Sequence, residues 1–185
     1  MKKVLFSESQ IKEMVQKLGK ELTEYYKNDE LPPVFIGVMK GALPFMMDLI
    51  RSVDCHILLD FAQLSSYEGT ESTGIITLKR DISTDLRGRR VLVIEDIIDS
   101  GYTLKWFKEY LIKNYHPSEI KLCALLDKKC KRKTNIDVDF KCCEIGDMFI
   151  AGYGLDYKEL LRNDKEIFVM SKEDIDEIDA IVTKK

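Results

Sequence analysis

At 185 residues, 45% hydrophobic and 33% charged, the chain is long enough for one domain with a real core and has the balance of a soluble globular protein. A net charge of −3 argues against a general binder of nucleic acid or of membrane surfaces, and no apolar run approaches the ~20 residues that span a bilayer. Five cysteines (Cys55, Cys123, Cys130, Cys142, Cys143) form no C-x-x-C pair, and the start turns charged too soon for a secretory leader, which points to free thiols in a reducing cytoplasm.

Ser7 with Gln10 makes a capping box, and Ile11, Met14, Val15, Leu18, Leu22 and Tyr25 recur at helical spacing, which predicts an amphipathic helix over 8–27. The stretch 28–33 breaks it. Val34–Met39 reads as a short apolar strand, and a helix is expected from about 44 to 53. Between them, Lys40 and Gly41 form a turn that can hold an anion through the ammonium and exposed backbone amides, although a lysine after a strand is more often structural. A strand is expected over 56–64. The polar, glycine-punctuated segment 65–74 is long for a simple connection, and 75–78 returns as a strand. Residues 87–90 are a basic turn that reads as a solvated connection.

The most informative stretch is 91–104, Val-Leu-Val-Ile-Glu-Asp-Ile-Ile-Asp-Ser-Gly-Tyr-Thr-Leu. It opens as an apolar, β-branched run, the pattern of a strand buried on both faces of a parallel sheet, and two carboxylates appear where the strand should be ending. Gly101 permits torsions closed to other residues, so successive amides can turn toward one point. A helix beginning near Thr103 adds unpaired N–H groups and a positive dipole end, making a phosphate cradle that the Ser100 and Thr103 hydroxyls can join. Glu95 and Asp96 would repel phosphate; they suit a divalent cation or sugar hydroxyls. The site is therefore shaped for a phosphorylated sugar with a metal ion, at the edge of a sheet where ligands bind.

The helix is expected to run to about 114 and a further buried strand over 120–126, ending at Asp127 and Lys128. Alternating strands and helices predict an α/β fold, a mostly parallel central sheet flanked by helices. Beyond Lys128 the chain changes character, with a basic and then polar run, a short strand over 140–145, a stretch rich in aromatics and glycines over 147–157, a strand over 167–170 and an acidic helical tail from Ser171. One domain is expected, with a core over about 30–127. A small hood built from the N-terminal segment and about 128–172 would sit over the sheet's carboxyl edge.

The stretch 91–104 resembles the phosphoribosyl-pyrophosphate-binding signature of phosphoribosyltransferases. Its Glu-Asp-Ile-Ile-Asp form is most similar to that of the hypoxanthine-guanine phosphoribosyltransferases, the purine-salvage enzymes. The resemblance runs from about Lys40 to Arg162 and implies the type I phosphoribosyltransferase fold with a hood lobe, Mg²⁺ as cofactor, and a homodimer or homotetramer. It implies no nucleic-acid or membrane partner; the partners are a purine base and phosphoribosyl pyrophosphate. It assigns Glu95 and Asp96 to the ribose and a metal ion, and Asp99, Ser100, Gly101, Tyr102 and Thr103 to the sugar and its 5′-phosphate. The resemblance makes Asp99 the catalytic base. Lys40, Gly41 and Arg162 would hold pyrophosphate, while Ser66 and Tyr67 match a pair in a segment that closes over the reacting centre. The purine would meet Lys128 at its exocyclic oxygen, Phe149 and Ile97 on its faces, and the backbone of Ile150 at its edge. Asp156 matches an acid near the base that coordinates a second magnesium.

The physical reading agrees with these roles. An ammonium is a donor only, so Lys128 favours a 6-oxo purine over adenine, whose 6-amino group also donates. Three positions depart from the family's pattern: Tyr102 stands where many members carry lysine, Ser100 where threonine is frequent, and Met148 where some relatives have lysine. A regulator that kept the fold and binds nucleic acid is disfavoured by the net acidity. A P-loop NTPase fails because no G-x-x-x-x-G-K-[ST] is present.

Overall fold

A computed structural model describes residues 2–66 and 76–183. The elements run β1 (Lys3–Phe6), α1 (Glu8–Tyr26), β2 (Val34–Met39), α2 (Leu43–Arg51), β3 (Leu58–Ser66), β4 (Ile76–Arg80), β5 (Arg90–Ile98), α3 (Tyr102–Tyr115), β6 (Glu119–Asp127), a 3₁₀ turn (Lys129–Lys131), β7 (Phe140–Glu144), β8 (Ile150–Ala151), β9 (Ile167–Val169) and α4 (Lys172–Val182).

The capping box forms: Ser7 Oγ accepts from the Gln10 amide and Gln10 Oε1 accepts from the Ser7 amide. α1 buries Ile11, Val15, Leu18, Leu22 and Tyr26 along one stripe. Six strands form the main sheet in the order β4-β3-β2-β5-β6-β7, all parallel except β4, which pairs antiparallel with β3. Helices cover both faces. Leu92 and Ile94 of β5 pack with α1 and α2, while Val91 and Val93 pack with Leu104, Phe107 and Leu111 of α3. A second, antiparallel sheet of order β1-β9-β8 closes over its own small core of Ala151, Phe168 and Met170, against Ile178 of α4.

Several expectations need correction. β5 does not end at the carboxylates but runs on to Ile98, because Glu95 and Ile97 keep their ladder partners Ala124 and Leu126 on β6. The hood is smaller than the sequence indicated. Residues 140–144, assigned to it, are the edge strand of the main sheet, and of the N-terminal segment only β1 joins the small sheet; α1 lies on the main sheet's face. Arg90 is no solvated connector. It donates to Glu119 (2.8 Å) and Asp29 (2.6 Å) and lies over the Tyr25 ring at 4.1 Å, because β5 begins there and draws it under α1. β1 and β8 were not anticipated; at four and two residues, their partners in β9 supply what their own sequence does not.

The strand order reverses between β2 and β5. β2 leads to β3 on one side, and β5 leads to β6 on the other. The crevice beyond the carboxyl ends of these two neighbours therefore takes the loops after both strands, which is where ligands bind in open α/β sheets.

Candidate active site

The crevice gathers the acidic stretch of β5 and the turn after β2. Asp96 is 8% exposed, and its Oδ1 accepts from the Ile97 amide at 2.9 Å. A Cβ on Gly41 would lie 1.9 Å from Asp96 Oδ2, and a Cβ on Gly154 would lie 2.1 Å from the Gly41 carbonyl oxygen. Only glycine allows the Lys40–Gly41 turn to sit directly on the Asp96 carboxylate and under the 154 backbone. Gly154, with φ +99°, is a site-building residue that the sequence showed only as one glycine in a mixed stretch.

Of the two adjacent acids, Glu95 is the one whose ionisation its neighbour disfavours. Burial and then the Asp96 charge push the Glu95 carboxyl well above its usual range. Burial also raises Asp96, opposed by hydrogen bonds from Glu95 and the Ile97 amide and by the charge of Arg162. An acid pair of this kind, Asp96 buried and Glu95 half-buried, is a donor set of hard oxygens short of positive charge, which fits a divalent cation. Asp156 does not converge with them: it is ion-paired to Arg162 at 2.8 Å. Among the described residues no group of three or more His, Cys, Asp or Glu side chains could hold a metal ion.

Past β5 the chain turns into α3 through Gly101, which has φ +83° and is buried. The first turn of α3, starting at Tyr102 and Thr103, has no side-chain cap. Its opening amides are thus available to an anion, as expected of a phosphate cradle. Tyr102 is more than half exposed, so its side chain is not part of the fold there. The Ser100 carbonyl accepts from the Lys133 amide (3.0 Å) and the Thr134 hydroxyl (3.2 Å).

Asp99 and Lys128 meet from neighbouring strand ends, with Lys128 Nζ 3.4 Å from Asp99 Oδ1. Lys128 is only 7% exposed, and its amide donates to the Ile98 carbonyl at 3.0 Å, so the end of β6 is fixed to the end of β5. Arg132, which the sequence left in a basic run, holds this corner. It donates to the Asp99 carbonyl (3.2 Å), to the Ile136 carbonyl (2.8 Å) and to the buried Asp127 carboxylate, which also takes Lys141 at 2.8 Å. The signal that could have found it is its place four residues after Lys128, opposite a strand-end aspartate.

The candidate base-reading residues lie on β8 and beside it. Phe149 is 46% exposed, with its ring edge-on to Tyr157 at 5.6 Å, so it is not a core residue. The Met170 amide donates to the Phe149 carbonyl at 2.9 Å. In an antiparallel ladder the next residue then turns its own N–H and C=O the other way, so Ile150 presents them along the open edge of β8. Ile97 is half-buried, on the α1–α2 side of the sheet. Lys40 Nζ and Arg162 both reach Glu159, which sequence reading had passed over, and the cations hold its carboxyl below the usual range. The lid pair, the Ser66 side chain and Tyr67, lies outside the described residues.

A mostly parallel sheet carrying a glycine-built turn after one strand and an acidic turn into an uncapped helix after its neighbour fits a phosphoribosyltransferase, and the phosphoribosyl transferase domain family matches residues 7–158. The chain belongs to that family, among the hypoxanthine-guanine phosphoribosyltransferases. It is 46% identical over 164 residues to the hypoxanthine-guanine phosphoribosyltransferase of Bacillus subtilis, covering 88% of this chain and 89% of that one. Against the Streptococcus pneumoniae protein of the same name it is 43% identical over 174 residues, covering 94% and 95%. The crystal structure of a hypoxanthine phosphoribosyltransferase from Staphylococcus aureus superposes with a TM-score of 0.87 at 39% identity, covering 94% of this chain and 93% of that one.

Proposed function

We propose that the chain transfers the phosphoribosyl group of 5-phosphoribosyl-1-pyrophosphate to hypoxanthine or guanine, giving IMP or GMP and pyrophosphate. The observation that carries the reading is the meeting of Asp99 and Lys128 at 3.4 Å, one strand end away from the Glu95–Asp96 pair. A proton acceptor and a buried donor thus face the same space, next to groups suited to a sugar.

The anomeric carbon–oxygen bond to pyrophosphate breaks as a nitrogen of the purine's five-membered ring attacks, and the ribose gains positive character between the two events. Asp99 takes the proton that this ring loses, assistance worth roughly 10²–10⁴ in rate. Lys128 donates to the six-oxygen, Phe149 stacks on the ring, and the Ile150 backbone meets the base edge. The α3 amides with Ser100 and Thr103 hold the 5′-phosphate, while Lys40, the Gly41 turn and Arg162 take the departing pyrophosphate. Glu95 and Asp96 would hold the ribose hydroxyls and Mg²⁺, and Asp156 would serve a second ion. When bound, Mg²⁺ supplies positive charge against the leaving group. Work in the cytoplasm as a homodimer or homotetramer is part of the same reading, and no helix among the described residues is long and apolar enough to cross a membrane.

The test is nucleotide formation from phosphoribosyl pyrophosphate with Mg²⁺, run in parallel on hypoxanthine, guanine, xanthine and adenine. Turnover of hypoxanthine and guanine with little of adenine is expected. Good turnover of adenine would overturn the Lys128 assignment.

A further inference from the structure

One carboxylate, Glu159, reaches both cations assigned above to pyrophosphate, while Arg162 is also paired with Asp156 at 2.8 Å. Glu159 Oε2 lies 3.0 Å from Lys40 Nζ, 3.3 Å from Arg162 Nη2 and 3.4 Å from Arg162 Nε. Lys40 comes from the turn after β2 and Arg162 from the segment between β8 and β9, so the Glu159 side chain spans two separate loops of the crevice.

The backbone that carries Glu159 is itself unusual. Lys158, Glu159 and Leu161 have φ of +50°, +68° and +75°, a left-handed conformation that side chains with a Cβ adopt only at a cost. Tyr157 and Leu160 exchange backbone hydrogen bonds across this turn, and the Glu159 amide donates to Asp156 Oδ2 at 2.9 Å. The turn thus fixes where the carboxylate starts. The Glu159 side chain is nevertheless largely exposed, as is that of Lys40, so the contact can open without disturbing the core.

We propose that Glu159 is an internal stand-in for pyrophosphate: it holds Lys40 and Arg162 in the empty site, is displaced by the pyrophosphate group of the substrate, and returns as the product leaves. Glu159 is then a positioning residue that weakens pyrophosphate binding and prevents the product from being retained. The inference rests on the assignment of Lys40 and Arg162 to pyrophosphate made under the proposed function.

Calorimetric titration of inorganic pyrophosphate, in the presence of Mg²⁺, into the full chain tests it, using wild type, Glu159→Gln, Glu159→Gly and Lys40→Met. Glu159→Gln keeps the side chain's shape, and Glu159→Gly suits the left-handed turn, so one of them keeps the local fold if the other does not. Competition from exposed ion pairs predicts that Glu159→Gln binds pyrophosphate about 3–10-fold more tightly than wild type at low salt, with the gain shrinking at high salt. The Michaelis constant for phosphoribosyl pyrophosphate should fall in parallel. Unchanged or weaker binding by Glu159→Gln, or by Glu159→Gly where only that variant keeps the fold, overturns the proposal. Lys40→Met separates the two layers. If it fails to weaken pyrophosphate binding, the assignment of the site falls; if it weakens binding while Glu159→Gln gives no gain, only the stand-in falls.

Discussion

Lys128 Nζ stands 3.4 Å from Asp99 Oδ1, a buried cation from the end of β6 against an acid just past the end of β5. The ammonium can donate to a six-oxo group and cannot accept from a six-amino group. Lys128→Gln offers an amide that can turn either way, so the preference for hypoxanthine over adenine should fall by about 10–100-fold, the scale set by a mispaired buried polar group of roughly 1–3 kcal/mol. The ratio of kcat/KM for the two bases measures it.

Arg132 ties the Asp99 carbonyl to the Asp127 carboxylate and so sets the distance between Asp99 and Lys128, the two groups proposed to meet the base. Arg132→Ala leaves the buried Asp127 with Lys141 alone and should destabilise the protein by about 3 kcal/mol, the low end for a broken buried pair. Arg132→Lys keeps a charge near Asp127 but lacks the planar fork that reaches two carbonyls. It should fold with a smaller loss of stability and still show a raised Michaelis constant for the purine. Thermal melts beside steady-state kinetics check both.

Gly154 approaches the Gly41 carbonyl so closely that any Cβ must displace it, and its φ of +99° disfavours other residues. Gly154→Ala should lose about 2–3 kcal/mol, or roughly 4–12 °C in melting temperature for a chain of this size. It should also weaken pyrophosphate binding, because the Lys40–Gly41 turn shifts with it. Calorimetric unfolding and a pyrophosphate titration read the two effects.

Glu95 is pushed well above the ordinary carboxylate range, so the folded protein keeps a proton that the unfolded chain has already lost. Its contribution to stability is therefore intact below pH 4.5, the ordinary value for a glutamate, and declines as pH rises from there toward the shifted value. Glu95→Gln removes that decline. The ligand-free variant should melt higher than wild type at neutral pH, with the difference vanishing in acid, and should turn over poorly. Mg²⁺ should bind wild type more tightly as pH rises, with proton release, and should raise its melting temperature. A melting series over pH, with and without Mg²⁺, tests this.

Much of this architecture is legible in local sequence. The capping box at Ser7, the runs 34–39 and 91–94, and the Gly101 turn carry their own structural instructions, and the structure follows them. What the sequence hides is what long-range pairing decides. β1 and β8 are too short to announce themselves and exist because β9 pairs with both. Arg90 looks like a surface charge until α1 lies over it. The acids of β5 were readable as a cluster, but that Asp96 rests beneath Gly41, or that Arg132 and Glu159 hold the groups around them, depends on contacts between distant parts of the chain.

The proposed division of labour runs along one strand end, with Glu95 and Asp96 serving the sugar and Asp99 serving the base. Asp99→Asn tests it most directly, through kcat with hypoxanthine beside the dissociation constant of phosphoribosyl pyrophosphate. The value of kcat should fall by about 10²–10⁴ with the dissociation constant within a few-fold of wild type. Unchanged turnover, or a loss traced wholly to weaker binding of phosphoribosyl pyrophosphate, would contradict it.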